Sequence, residues 1–78
     1  MVLTTEQQQK LSSRLAEVRD YGGDKRVAKI AGVTPRVIGK ALSGGNVRVE
    51  TMESILAGLI TLEAERQTKL KELKKALA

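Results

Sequence analysis

The chain of 78 residues contains no cysteine and no histidine, and Tyr21 is its only aromatic residue. Without Cys and His it has no disulfide, no zinc site of the usual nitrogen and sulfur ligands, and no Ser-His or Cys-His nucleophile pair. The carboxylates are predicted on exposed helix faces with no base or metal set beside them. We therefore predict no enzymatic activity, no metal, no cofactor and no small-molecule ligand.

Long apolar runs are also missing. None approaches the roughly 20 residues needed to cross a bilayer, and the first residues lack the basic, apolar and small-residue pattern of a signal peptide. We therefore expect a soluble, intracellular protein that has no membrane partner. Single-stranded nucleic acid is disfavoured as well, because its binding usually stacks successive bases on several aromatic rings.

Leu, Ile, Val and Ala must then build the core, since 41% of the residues are apolar and one is aromatic. Such a composition favours short interlocking helices over a sheet sandwich. A chain of this length makes one domain at most and buries a thin core. We predict an all-α fold of four to five helices, with residues 1–78 forming a single helix-turn-helix domain that has a long C-terminal helical segment.

Local patterns place the first helices. Thr4 and Thr5, followed by glutamines, form a helix start of the capping-box type. Apolar residues then recur at spacings of four and three, which predicts a helix from about residue 5 to about residue 20 that stops at the Gly22-Gly23 pair. Asp24 is placed to cap a second helix over residues 25–31.

A turn and a third helix follow. Gly32 is predicted in the left-handed conformation that ends a helix at little cost only for glycine. Thr34 offers an N-cap oxygen, and Pro35 suits the first helical position. Apolar residues fall on one arc of this helix, and the opposite arc is free to touch a ligand. The opposite arc carries Arg36, Gly39, Lys40 and Ser43.

The segment 49–78 has the composition of a strong helix former, interrupted only by Gly58, and is predicted as one long helix or two. Its leucines keep spacings of three and four, but Glu63 and Arg66 interrupt the heptad. Because it holds more Leu and Ile than a small core can cover, we predict that it is the dimerisation helix. The predicted dimer contacts are Leu56, Leu59, Leu70, Leu73 and Leu77.

Positive charge is concentrated in one stretch. The net charge is +5, but residues 25–48 carry +6 and no acid, while the remaining residues carry −1. A basic block confined to one structural unit is the electrostatic footprint of a face that binds a polyanion.

The segment YGGDKRVAKIAGVTPRVIGKALSGG, residues 21–45, resembles the helix-turn-helix of the phage Cro and repressor family. The resemblance extends weakly to about residue 60. It implies a bacterial or phage-encoded protein that is cytoplasmic and associated with the nucleoid. It also implies that the third helix is a recognition helix for the major groove.

The resemblance assigns roles to individual residues. The base-reading positions correspond to Pro35, Arg36, Gly39 and Lys40, with Ser43 at the edge. The phosphate-contacting helix starts correspond to Asp24, Lys25 and Thr34, to which the basic block adds Arg26, Lys29 and Arg48. Pro35 stands where relatives often carry a residue that hydrogen-bonds a base, and Gly39 has no side chain. Direct readout would therefore rest on Arg36 and Lys40.

We thus expect a sequence-specific protein that binds double-stranded DNA as a homodimer and represses transcription by reading the major groove of an inverted repeat. The same architecture serves activators, excisionases, small architectural proteins and antitoxins, and the sequence does not separate them. The alternative to DNA binding is protein binding: the chain would be a helical interaction module, an antitoxin or adaptor, whose basic face binds an acidic partner protein.

Overall fold

Four α-helices and no strand form the architecture seen in the computed structural model, which describes all residues from 1 to 78. Helix α1 spans Thr5–Glu17, α2 spans Gly23–Ala31, α3 spans Pro35–Leu42 and α4 spans Val49–Leu77. A short 3-10 turn, Arg19–Tyr21, joins α1 to α2. The prediction of an all-α fold with a long C-terminal helix is confirmed.

The start of α1 confirms the predicted capping box. Thr4 Oγ1 accepts a hydrogen bond from the Gln7 amide at 3.2 Å, and Gln7 Oε1 accepts one from the Thr4 amide at 2.9 Å. The end of α1 differs from the prediction, because the helix stops at Glu17 and not near residue 20. The next residue, Val18, is buried, and the chain tightens there into the 3-10 turn.

The start of α2 corrects a second expectation. Gly22 lies at the N-cap position with a φ of 106°, and Gly23 is already the first helical residue with a φ of 55°. Two successive glycines at positive φ let the chain leave the 3-10 turn and enter the helix directly. The helix therefore begins two residues earlier than expected, so the prediction that Asp24 caps it is wrong.

The turn between α2 and α3 has the predicted geometry. Gly32 adopts a φ of 74°, and its amide donates to the carbonyls of Ala28 and Lys29. The Val33 amide donates to the Ala28 carbonyl at 2.9 Å. Thr34 is the N-cap residue of α3, with Pro35 at the first helical position, but the Thr34 side chain makes no capping hydrogen bond. The end of α2 and the start of α3 are thus predicted correctly, while the capping contact of Thr34 is absent.

Gly32 and Gly39 form a matched pair for testing the turn. A Cβ atom would meet nothing within 4 Å at either position, but only Gly32 has a positive φ. We expect Gly32→Ala to destabilise the fold by about 1 to 2 kcal/mol, because alanine is strained in the left-handed region. We expect Gly39→Ala to stabilise α3 by up to about 1 kcal/mol. Denaturant unfolding of both variants measures the difference, and equal stabilities would contradict the proposed turn strain.

Helix α4 is one uninterrupted helix of 29 residues. It is about 43 Å long at 1.5 Å per residue, which accounts for the 46 Å long dimension of the molecule. Its N-terminal half packs closely on α2 at Gly58, where an added Cβ would lie 3.0 Å from the Val27 carbonyl oxygen. The second half extends beyond the shared core, and all but a few of its residues are exposed.

A single apolar cluster joins the four helices. The largest fully buried members are Val18, Val27, Ile38, Ile55, Leu59 and Leu62. Leu59 is 0% exposed, so the prediction that it lies in a dimer interface is wrong. It points into the core of its own chain, because it follows Ile55 by four residues on the buried side of α4. Of the other predicted dimer contacts, Leu56 and Leu70 are half-buried, and Leu73 and Leu77 are exposed.

Two bidentate ion pairs hold α4 against the rest of the chain. Arg14 donates to Glu63 at 2.6 and 3.0 Å, and Arg66 donates to Asp20 at 2.8 and 3.1 Å. The hydrogen bond from Arg66 lowers the pKa of Asp20, and Asp20 in turn raises the pKa of Arg66. The hydrogen bond to Glu63 raises the pKa of Arg14. Asp20 and Glu63 are thereby each paired with an arginine of the same chain.

None of these helices has both the length and the apolar character that crossing a bilayer requires.

Candidate nucleic-acid interface

Helix α3 divides into two faces as predicted. Ile38 and Ala41 are buried, and Val37 and Leu42 are half-buried against the core. The opposite face is exposed along the whole helix and consists of Pro35, Arg36, Gly39, Lys40 and Ser43. One face of α3 therefore packs against the core, and every predicted base-reading residue lies on the opposite, exposed face.

Two cations dominate the exposed face of α3. Arg36 and Lys40 are one helical turn apart and so lie on the same side of the helix. Neither forms an ion pair within the chain. Gly39, next to this pair on the exposed face, leaves open space, because a Cβ there would contact nothing within 4 Å. The face combines two unpaired donors with a gap that lets a ligand approach the helix backbone.

The Ser43 side chain is hydrogen-bonded to the backbone of its own helix. Its hydroxyl donates to the Lys40 carbonyl at 3.1 Å, at the point where α3 ends. A hydroxyl that donates its single proton locally keeps only its lone pairs for a ligand. The structure thus leaves Ser43 as an acceptor at the edge of the face.

The basic residues of α2 fall into two groups. Lys25 and Lys29 are exposed and form no ion pair. Arg26 instead lies over the Tyr21 ring at 4.5 Å from its centroid, with Glu65 of α4 at 3.9 Å. A cation held over an aromatic face is stabilised within its own chain. We therefore remove Arg26 from the predicted phosphate contacts and retain the two lysines.

Asp24 requires a second correction. It is exposed in the first turn of α2 and carries the only acidic side chain between residues 22 and 48. A carboxylate repels phosphate, whereas the free amides and the positive dipole end of a helix attract it. The Asp24 side chain therefore takes no favourable part in a contact with phosphate, and the amide of Gly23, the first residue of α2, is already bonded to the Val18 carbonyl at 3.0 Å.

An open groove of about 620 Å³ brings three predicted residues together. Thr34, Lys40 and Arg48 all border it, between the start of α3, the following loop and the start of α4. The Thr34 side chain makes no capping hydrogen bond. These three residues are separated in sequence, and the turn between α3 and α4 places them around one concave surface.

The groove also contains groups that the sequence did not indicate. Asn46 borders it, and its Oδ1 accepts a hydrogen bond from the Met1 amino group at 2.7 Å. The same amino group donates to the Val47 carbonyl. No sequence signal could have found the contact of Asn46 with Met1, because its partners are 45 residues apart.

The site is suited to electrostatic and hydrogen-bonding recognition of a polyanion. Its unpaired cations are Lys25, Lys29, Arg36, Lys40 and Arg48, and none of them is neutralised by an acid of the same chain. The chain has no group of three or more acidic, Cys or His side chains that could hold a metal ion.

In comparisons with known proteins, no family model, no curated protein and no solved structure matches this chain.

Proposed function

We propose that the chain binds double-stranded DNA and represses transcription, with α3 inserted into the major groove. The observation that carries the proposal is the exposed face of α3, where Arg36 and Lys40 lie one turn apart, next to Gly39, and form no ion pair within the chain. The major groove admits an α-helix, and Arg or Lys donates to O6 and N7 of guanine. The resemblance of residues 21–45 to the phage Cro and repressor family supports the same docking.

The surrounding charges fit contacts to the DNA backbone. Lys25 and Lys29 are exposed on α2, and Arg48 is exposed at the start of α4. Phosphate contacts position a protein on the duplex, whereas base contacts specify its sequence. We assign these three side chains, together with the helix start at Thr34, to phosphate.

A homodimer completes the proposal. Two side chains that read bases give each chain modest specificity, and a second half-site supplies the remainder. Two α3 helices would enter successive major grooves about 34 Å apart on an inverted repeat. Repression would follow because the bound dimer occludes RNA polymerase from the promoter.

Selection of bound duplexes from a random pool tests the proposal directly. We expect an inverted repeat whose half-sites lie about one helical turn apart. Affinity for the selected duplex should fall steeply between about 50 and 200 mM salt, because each phosphate contact releases counterions. A chain that enriches no duplex and binds none in a salt-dependent way would contradict the proposal. That outcome would instead favour the acidic protein partner.

A further inference from the structure

The outer side of α4 carries a second pattern that the core does not use. Ala57, Ile60 and Ala64 are all exposed on the side of α4 opposite the buried core residues. Ile60 is 58% exposed although it is a large apolar residue. Their spacings of three and four residues place them on one line along the helix. We call this line, with its polar extensions Glu50, Glu53, Gln67, Lys71 and Lys74, the outer stripe.

The outer stripe has opposite charges at its two ends. Glu50 and Glu53 continue it toward the start of α4, and Lys71 and Lys74 continue it toward the end. All four side chains are exposed, and none forms an ion pair within the chain. The spacing of three and four is unbroken from one end of the outer stripe to the other, whereas Glu63 and Arg66 interrupt the spacing of the α4 leucines.

We infer that the outer stripe is the surface through which a second copy of this chain docks, with the two α4 helices antiparallel. When the two α4 helices are placed antiparallel with their residues 62 side by side, each residue of the outer stripe faces another residue of the same stripe in the second copy. Ile60 then faces Ala64 of the second copy, and Ala57 faces Gln67. These are the layers of an antiparallel coiled coil, in which each heptad a position of one helix faces a d position of the other. The two alanines let the helices approach to about 8 Å.

The same reversal matches the charges. Glu50 faces Lys74 of the second copy, and Glu53 faces Lys71, and the twofold symmetry repeats both pairs. A parallel pairing would instead place each of these residues opposite itself, acid on acid and lysine on lysine. Like charges set in register destabilise a helix pair and so select its orientation.

The antiparallel pair is compatible with the proposed site. The outer stripe lies on the opposite side of α4 from the core against which α2 and α3 pack. Docking through it therefore leaves Arg36 and Lys40 exposed in both copies. The inference rests on the homodimer of the proposed function, whose surface it specifies, and it does not depend on DNA being the ligand.

Ile60 and Leu73 provide a matched test of the face. They are 58% and 57% exposed, and both lie on α4, but only Ile60 belongs to the outer stripe. We expect Ile60→Glu to weaken the dimer by at least about 100-fold, because the twofold symmetry of the dimer places two carboxylates, one from each copy, unpaired in the buried interface. We expect Leu73→Glu to leave the dimer intact. Sedimentation equilibrium of the full chain measures both, and circular dichroism checks that each variant stays folded.

The opposite results have distinct meanings. A dimer that survives Ile60→Glu and dissociates with Leu73→Glu would overturn the outer stripe in favour of the distal leucines, and DNA binding would be untouched. A wild-type chain that stays monomeric would overturn both the interface and the proposed homodimer. Salt-dependent binding of Ile60→Glu to duplex DNA would still test α3 by itself.

Introduced cysteines test the orientation even if Ile60→Glu fails to fold, and the native chain contributes no cysteine of its own. In the antiparallel pair Ala57 faces Gln67 of the second copy, while two Ala57 residues lie about 15 Å apart along the axis. A disulfide needs Cα atoms within about 7 Å. We expect an oxidised mixture of Ala57→Cys and Gln67→Cys to crosslink, and each variant alone to stay uncrosslinked. Full crosslinking of Ala57→Cys alone would show a parallel pair, and no crosslink in any combination would overturn the interface.

Discussion

Replacing Leu59 by alanine should lower the free energy of unfolding by about 2 to 5 kcal/mol. Leu59 is 0% exposed in the middle of the core, and truncation of such a residue removes apolar contacts and leaves a cavity. Small domains are stabilised by only about 0.05 to 0.15 kcal/mol per residue. The loss is therefore a large part of the total, and we expect the melting temperature to fall by about 10 °C or more.

Leu73→Ala is the control for this measurement. Leu73 is the same residue type on the same helix, but it is 57% exposed, so its truncation should change the stability by less than about 0.5 kcal/mol. Both variants are measured by thermal and denaturant unfolding at several protein concentrations, which separates loss of the core from loss of the dimer. Equal effects of the two substitutions would show that Leu59 does not occupy the core position described above.

Arg36→Ala and Lys25→Ala should impair DNA binding in different ways. We assign Arg36 to a base edge, so its removal should cost about 1 to 3 kcal/mol on the selected duplex and relax the preference at one base pair. We assign Lys25 to phosphate, so its removal should weaken all duplexes alike and reduce the slope of log affinity against log salt by about one. Affinities for a selected and a scrambled duplex at several salt concentrations provide both quantities.

Lys75→Ala controls for the loss of one positive charge. Lys75 is an exposed lysine in the last turn of α4, outside the candidate interface and the outer stripe. It should change neither the sequence preference nor, beyond a small general effect, the salt slope. If Arg36→Ala weakened both duplexes equally while Lys25→Ala removed the preference, α3 would not be the recognition helix, and the helix pair would dock in another orientation.

Local chemistry made much of the fold predictable. The Thr4 cap of α1, the left-handed Gly32 and the Pro35 start of α3 depend on the backbone preferences of single residues, which act over a few positions in any context. The division of α3 into a buried and an exposed face likewise follows from helical periodicity. For this reason the exposure of Arg36 and Lys40 could be expected before the structure was known.

Predictions that depended on the surroundings of a residue were less successful. Arg26 has the same charge and helix as Lys25, but only the approach of α4 and Tyr21 decides that Arg26 is held within the chain. Aspartate is a residue type that often caps helices, but the two glycines before Asp24 let α2 begin at Gly23, so Asp24 lies inside the helix. The leucine pattern of α4 does not say which side meets the core, so Leu59 was placed in the wrong contact.

The sequence by itself determined the helical class, the helix-turn-helix segment, the basic face of α3 and the unequal charges along α4, because these depend on residue type and on spacings within one turn or a few. Only the tertiary structure decided which side of α4 is buried, which cations remain unpaired, and that Thr34, Lys40 and Arg48 share one groove. Burial and pairing are properties of residues far apart in the chain. They are set when α4 packs against α2 at Gly58, and the outer stripe is exposed as a consequence of that same contact.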